Sequence, residues 1–80
     1  MSLTEASIMQ LFKAAVREIE KKDLPELTPA TELSTLGFDS VTTMEIIGVM
    51  EDQLGVEFPE EELPRLQQMS DIISMVQSLV

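Results

Sequence analysis

Apolar residues recur at helical spacing over the first quarter of the chain. Ile8, Leu11, Phe12, Ala15, Val16 and Ile19 form one stripe, and that period predicts a helix over 4–22. Ser2 and Glu5 have the spacing of a capping box, with Thr4 as a competing cap. Lys21 and Lys22 fall in the expected last turn, where positive charge suits the helix dipole, and Pro25 should stop the element. Residues 23–38 lose the period and read as a long loop. Pro25 and Pro29 forbid regular helix across its first half, and Leu27, Leu33 and Leu36 are expected to pin it to the bundle. A helical turn fits 31–36, and Gly37 allows a sharp bend just after it.

The helical period returns at 40–54. Asp39 or Ser40 can cap this second helix and Gly55 can end it. Thr43, Ile46, Ile47, Met50 and Leu54 fall on one face, expected to be the core side. Val41, Glu45, Gly48 and Asp52 fall on the opposite face, with Met44 and Glu51 towards its Ser40 edge. Pro59 followed by Glu60, Glu61 and Glu62 predicts a short third helix, which Pro64 keeps short or irregular. Ser70 is the expected cap of a last helix to Leu79, with Ile72, Ile73, Val76, Leu79 and Val80 as its apolar side. No strand-like alternation and no internal repeat appears. The expected fold is all-α: a small four-helix bundle of three main helices plus the short third one, forming one domain over 1–80.

Composition narrows the chemistry. Eighty residues with 44% hydrophobic content suffice for one modest core, and with only three aromatics, all Phe, that core must be aliphatic and Met-based. No apolar run approaches the length of a membrane span, and the N-terminal residues lack the pattern of a secretory signal, so the expected compartment is cytoplasmic. His, Cys and Tyr are all absent. Ser-His and Cys-His nucleophiles and the usual zinc sites are thereby removed. Fifteen acidic against five basic residues give a formal charge of −10. That field disfavours nucleic acid and anionic membrane and favours proteins with basic patches; taken alone, it is also what plain solubility would produce.

The informative stretch is Leu36-Gly37-Phe38-Asp39-Ser40-Val41, where the long loop meets the second helix. A serine there is reachable by a second protein, and the helix N-terminus beside it favours an anion. Asp39 is placed to bind a metal or to orient a donor group from a visiting enzyme. No His is available as an internal base, so Ser40 suits the role of phosphate acceptor better than that of catalytic nucleophile. Asp-Ser before a helix is, by itself, most often only a cap.

The surrounding residues change that balance. Leu36-Gly37-Phe38-Asp39-Ser40-Val41, continuing through Thr42-Thr43-Met44-Glu45-Ile46, resembles the phosphopantetheine attachment motif of acyl carrier proteins. Leu54-Gly55-Val56-Glu57-Phe58-Pro59-Glu60-Glu61-Glu62 is similar to that family's segment between the second and third helices. Length, acidity, long first loop and helix order agree, so the resemblance covers essentially the whole chain. It implies a non-enzymatic phosphoprotein: Ser40 is modified by a phosphopantetheinyl transferase, with coenzyme A as donor, and Asp39 assists by orientation or by holding magnesium during the transfer. No resident metal is implied. The 4'-phosphopantetheine arm ends in a thiol that holds cargo as a thioester. The second helix is implied to be the surface that partners read, through Val41, Met44, Glu45, Gly48, Glu51 and Asp52. The implied partners are an acyl- or aminoacyl-loading enzyme and a ketosynthase, acyltransferase or condensing enzyme; the chain is expected to be a monomer, either a discrete protein serving separate enzymes or a domain excised from a larger one.

Two departures bear on partner choice. Val41 stands where the family more often has Leu, and Thr42 where fatty-acid carriers often have Asp. Gly48 costs about 1 kcal/mol against Ala in a helix interior; on an exposed face it leaves room for a partner's close approach. Phe38-Asp39-Ser40 looks more like polyketide and other acyl carriers than peptidyl carriers, which implies acyl cargo in polyketide, fatty-acid-like or related secondary metabolism. Aminoacyl or peptidyl cargo in a nonribosomal or hybrid pathway is the alternative. Two further classes compete: an acidic helical adaptor or calcium sensor, for which no EF-hand loop pattern is present, and an enzyme using Ser40, which lacks a base.

Overall fold

The computed structural model describes residues 3–80, so the expected capping-box residue Ser2 lies outside the described residues. The first helix, α1 (Glu5–Glu20), begins at Thr4, whose Oγ1 accepts the Ser7 backbone N–H at 3.1 Å. It ends two residues sooner than the periodicity predicts. Lys21 turns into the left-handed region at φ 59° and donates its N–H to the Arg17 carbonyl. The helix is therefore closed by a backbone reversal ahead of Pro25, and Lys22 lies beyond it, with its ammonium 5.7 Å from the centre of the Phe38 ring.

The second helix, α2 (Ser40–Leu54), has the predicted bounds, with Asp39 as its N-cap and Gly55 in the left-handed region at φ 69° after its last turn. Ile46, Ile47 and Met50 are buried as the wheel requires, whereas Thr43 and Leu54 are only half-buried. The third helix, α3 (Met69–Leu79), starts one residue before the expected cap Ser70. Asp71 accepts the backbone N–H groups of both Gln67 and Gln68 at 2.9 Å, holding the chain one residue earlier. Those two hydrogen bonds keep the Asp71 carboxyl below its ordinary value, the Gln68 N–H more than the Gln67 one.

The short third helix is a 3₁₀ turn over Glu60–Arg65, and Leu33–Leu36 forms another. Pro64 lies inside the former and removes a donor that an α-helix would need. Among the described residues there is no strand, only an isolated antiparallel bridge between Glu32 and Gln68. The bundle is all-α, as expected.

The core sits where α1 packs against both α2 and α3. Ile8, Phe12, Val16, Ile46, Met50, Ile72 and Val76 have essentially no exposure. Phe12 and Phe58 are both buried in this cluster, and Phe38 is half-buried at the Ser40 end. The long loop is tied down by Leu27 and Leu33 as expected, and also by Leu24; Leu36 is half-buried. Backbone hydrogen bonds complete the anchoring. Leu33 N–H donates to Gln67 at 2.8 Å, Met69 N–H to Thr31 at 2.9 Å, and Ser70 N–H to Pro29 at 2.8 Å. The loop before α2 and the approach to α3 are thus stitched together, and both become walls of the site.

Candidate functional site at the start of α2

Local chemistry brings Ser40 to the surface. The 3₁₀ turn Leu33–Leu36 ends at Gly37, whose φ of 80° is a conformation that a side chain makes costly. The chain then extends through Asp39 and enters α2. Asp39 Oδ1 accepts the Thr42 N–H at 2.7 Å, while its carbonyl accepts the Thr43 N–H and the Thr43 hydroxyl, each at 3.0 Å. Ser40 is left exposed in the first turn, and among the described residues nothing holds its hydroxyl. Its position at a helix N-terminus gives it the favourable electrostatics for a phosphate group.

Asp39 is a cap first. The Thr42 backbone N–H, and after it the Thr42 side chain, hold its carboxyl below the ordinary value for Asp. A carboxylate so held is a weaker base than an ordinary Asp.

A cavity of about 370 Å³ opens against Ser40 and Asp39. Phe38, Met44 and Ile47 line it from the α2 side, and Leu63 and Leu66 face them from the second 3₁₀ turn and the residue after it. Neither Leu63 nor Leu66 was singled out from the sequence. Their separation from Ser40 along the chain leaves no local signal; only the pairing of leucines around Pro64 hints that this turn has an apolar side.

The residues read as a partner-facing set divide. Val41 and Met44 are 65% and 55% exposed, side by side one turn apart next to Ser40. Glu45 and Asp52 are exposed further along α2. Glu51 is different: its Oε2 accepts the Phe58 N–H at 2.6 Å, so this carboxylate holds the chain after α2. Gly48 is half-buried, and a Cβ built there would meet no atom within 4 Å, so nothing inside the molecule demands glycine.

An exposed serine in the first turn of α2, on a small acidic bundle with an apolar recess beside it, is what the start of this helix presents. The chain belongs to the phosphopantetheine attachment site family, whose model matches residues 10–76, and within it to the acyl carrier proteins; the cofactor of the family is covalently attached 4'-phosphopantetheine. The acyl carrier protein of Thermosynechococcus vestitus is 28% identical over 79 residues, covering 98% of both chains. The mitochondrial acyl carrier protein of Dictyostelium discoideum is 29% identical over 73 residues, 91% of this chain, which spans only 61% of that protein's length. The crystal structure of an acyl carrier protein from Thermotoga maritima superposes with a TM-score of 0.83 over 90% of this chain and 85% of the other; at 24% identity it establishes the shared fold. Among the described residues no helix is long and apolar enough to cross a membrane.

Proposed function

We propose that Ser40 is the residue carrying the 4'-phosphopantetheine arm, and that the chain presents acyl intermediates on it to biosynthetic enzymes of polyketide, fatty-acid-like or related secondary metabolism. The observation that carries this reading is the exposed, unpartnered Ser40 at the N-terminus of α2, with an apolar cavity against it. The residues fit the group. The α2 N-terminus suits the phosphodiester, and Asp39 fixes the turn that projects the Ser40 hydroxyl. When bound, the arm supplies a thiol for thioester chemistry, which a chain without cysteine otherwise lacks.

Partners are a phosphopantetheinyl transferase, a loading enzyme, and a ketosynthase, acyltransferase or condensing enzyme. They meet an apolar centre of Val41 and Met44, with Glu45 and Asp52 guiding the encounter from farther along α2. Thr42 in the first turn adds no charge of its own, so next to Ser40 the charge is that of Asp39 and the apolar contact that of Val41 and Met44. Gly48 leaves the face low enough for close approach; Gly48→Ala should slow partner reactions, and unchanged rates would remove it from the docking face.

The inner lining of Met44, Ile47, Leu63 and Leu66 favours acyl cargo, since a charged ammonium gains nothing from these side chains; the one carboxylate on the cavity, that of Asp39, is engaged by the Thr42 N–H as the cap of α2. The two cargos can be compared by transferring an acyl or an aminoacyl pantetheine onto the protein and recording methyl NMR spectra. Acyl loading should shift Ile47, Leu63 and Leu66 while aminoacyl loading leaves them in place. Equal perturbation by both would overturn the preference for acyl cargo.

A further inference from the structure

We propose that Met44 is a peroxide-reactive modification site, and that its oxidation to the sulfoxide weakens access of partner proteins to Ser40. The argument begins with what else in the chain an oxidant finds. There is no Cys, Trp or Tyr, so the thioethers are the main reactive side chains before any arm is attached. Among the described methionines the exposures differ sharply. Met50 and Met69 are 1% and 0% exposed in the core, Met9 and Met75 are half-buried, and Met44 is 55% exposed. Thioether oxidation needs contact with the oxidant, so Met44 is the first of these to react.

Its location gives the reaction a consequence. Met44 lies one turn beyond Ser40, lines the cavity that Ser40 and Asp39 also line, and stands beside exposed Val41. One side chain therefore serves both the rim of the apolar cavity and the apolar centre of the α2 face. Conversion of a flexible apolar thioether to a polar sulfoxide penalises both surfaces. The chemistry balances with a peroxide as oxidant. The O–O bond breaks, one oxygen forms a bond to Sδ, the thioether loses two electrons, and the peroxide is reduced to water or an alcohol. A thiol-dependent sulfoxide reductase reverses it by returning two electrons and releasing that oxygen as water. Methionine oxidation is thus a reversible handle on a protein that has no cysteine switch of its own.

The inference rests on Ser40 being the acceptor, and the experiment separates the two. The full-length chain without its arm is treated with hydrogen peroxide, and the position of added oxygen is followed by peptide mass mapping. The same samples are then given coenzyme A, magnesium and a broad-specificity phosphopantetheinyl transferase. The peptide bearing Met44 should gain oxygen faster than those bearing Met9, Met50, Met69 or Met75. Transfer to the oxidised protein should fall about fivefold in kcat/KM, carried by KM, the size expected from losing one small apolar contact. Methionine sulfoxide reductase should restore it, and the transfer rate of Met44→Leu, whatever its value, should be the same before and after peroxide. Faster oxidation at Met9 or Met75, or equal transfer to oxidised and unoxidised protein, would overturn the proposal while leaving Ser40 as acceptor. If the untreated protein takes no arm, the reading of Ser40 fails and this inference with it.

Discussion

The two ends of α2 are built to opposite purposes. Its middle and C-terminal half bury Ile46, Ile47 and Met50 against α1, and Glu51 ties down Phe58 in the segment that follows. Its first turn, by contrast, exposes Ser40, Val41 and Met44 and is secured almost wholly by backbone and cap contacts from Asp39. Each end is bounded by a glycine in the left-handed region, Gly37 and Gly55. A single helix thus carries a rigid packing segment and an open presenting segment.

The largest test of this division lies in the core. Phe12→Ala should cost about 3–5 kcal/mol in chemical denaturation. Val41→Ala should change stability by no more than about 0.5 kcal/mol. Similar losses for the two would break the contrast between packed and presenting surfaces.

The paired glycines sharpen it. Gly37→Ala and Gly55→Ala each place a Cβ at positive φ and should each cost about 1 kcal/mol. Neither substitution meets another atom within 4 Å, so strain in the backbone is the whole expected effect. Only Gly37→Ala should also slow arm transfer to Ser40, because only that bend leads into the presenting turn. Equal slowing by both would mean that transfer follows general stability.

The cap comes next, and it carries a pH signature. Asp39→Ala should destabilise the protein near neutral pH by removing the cap of α2. The Asp39 carboxyl is held below its ordinary value, so its contribution is present above that value and is lost as pH falls through the lowered folded one. Asp71 obeys the same sign through Gln68 and Gln67. The difference between wild type and Asp39→Ala should therefore begin to shrink below about pH 4 and close only once pH is under the lowered folded value, and persistence of the full difference down to that range would remove the carboxylate from the cap. The smallest effect is expected at Val41→Ser: unchanged stability, with partner transfer reduced a few-fold in KM.

Much of this division was legible in the residues. Asp39 and Gly55 bracket α2 with chemistry that any helix boundary uses, and the apolar face of α2 follows from its period. Other features depend on contacts that no local pattern announces. Lys21 ends α1 in a conformation usually left to glycine, so Lys22 appeared to belong to a helix that stops at Glu20. The start of α3 is fixed by hydrogen bonds from the loop around Thr31 and Leu33, which displaced Ser70 from the cap position. The wheel placed Glu51 with the partner-facing residues, yet its carboxylate reaches a backbone N–H seven residues on. The cavity beside Ser40 needs Leu63 and Leu66 brought across from another part of the chain, so Ser40 was legible in the sequence but the recess beside it was not.

The central claim is that Ser40 accepts the arm. The protein should be incubated with coenzyme A, magnesium and an active phosphopantetheinyl transferase, its intact mass measured, and the modified peptide fragmented. The account predicts one arm per chain, on Ser40, and none on Ser40→Ala with its fold intact by circular dichroism. An arm on any other residue, or an unmodified wild type beside a working control carrier, would contradict it.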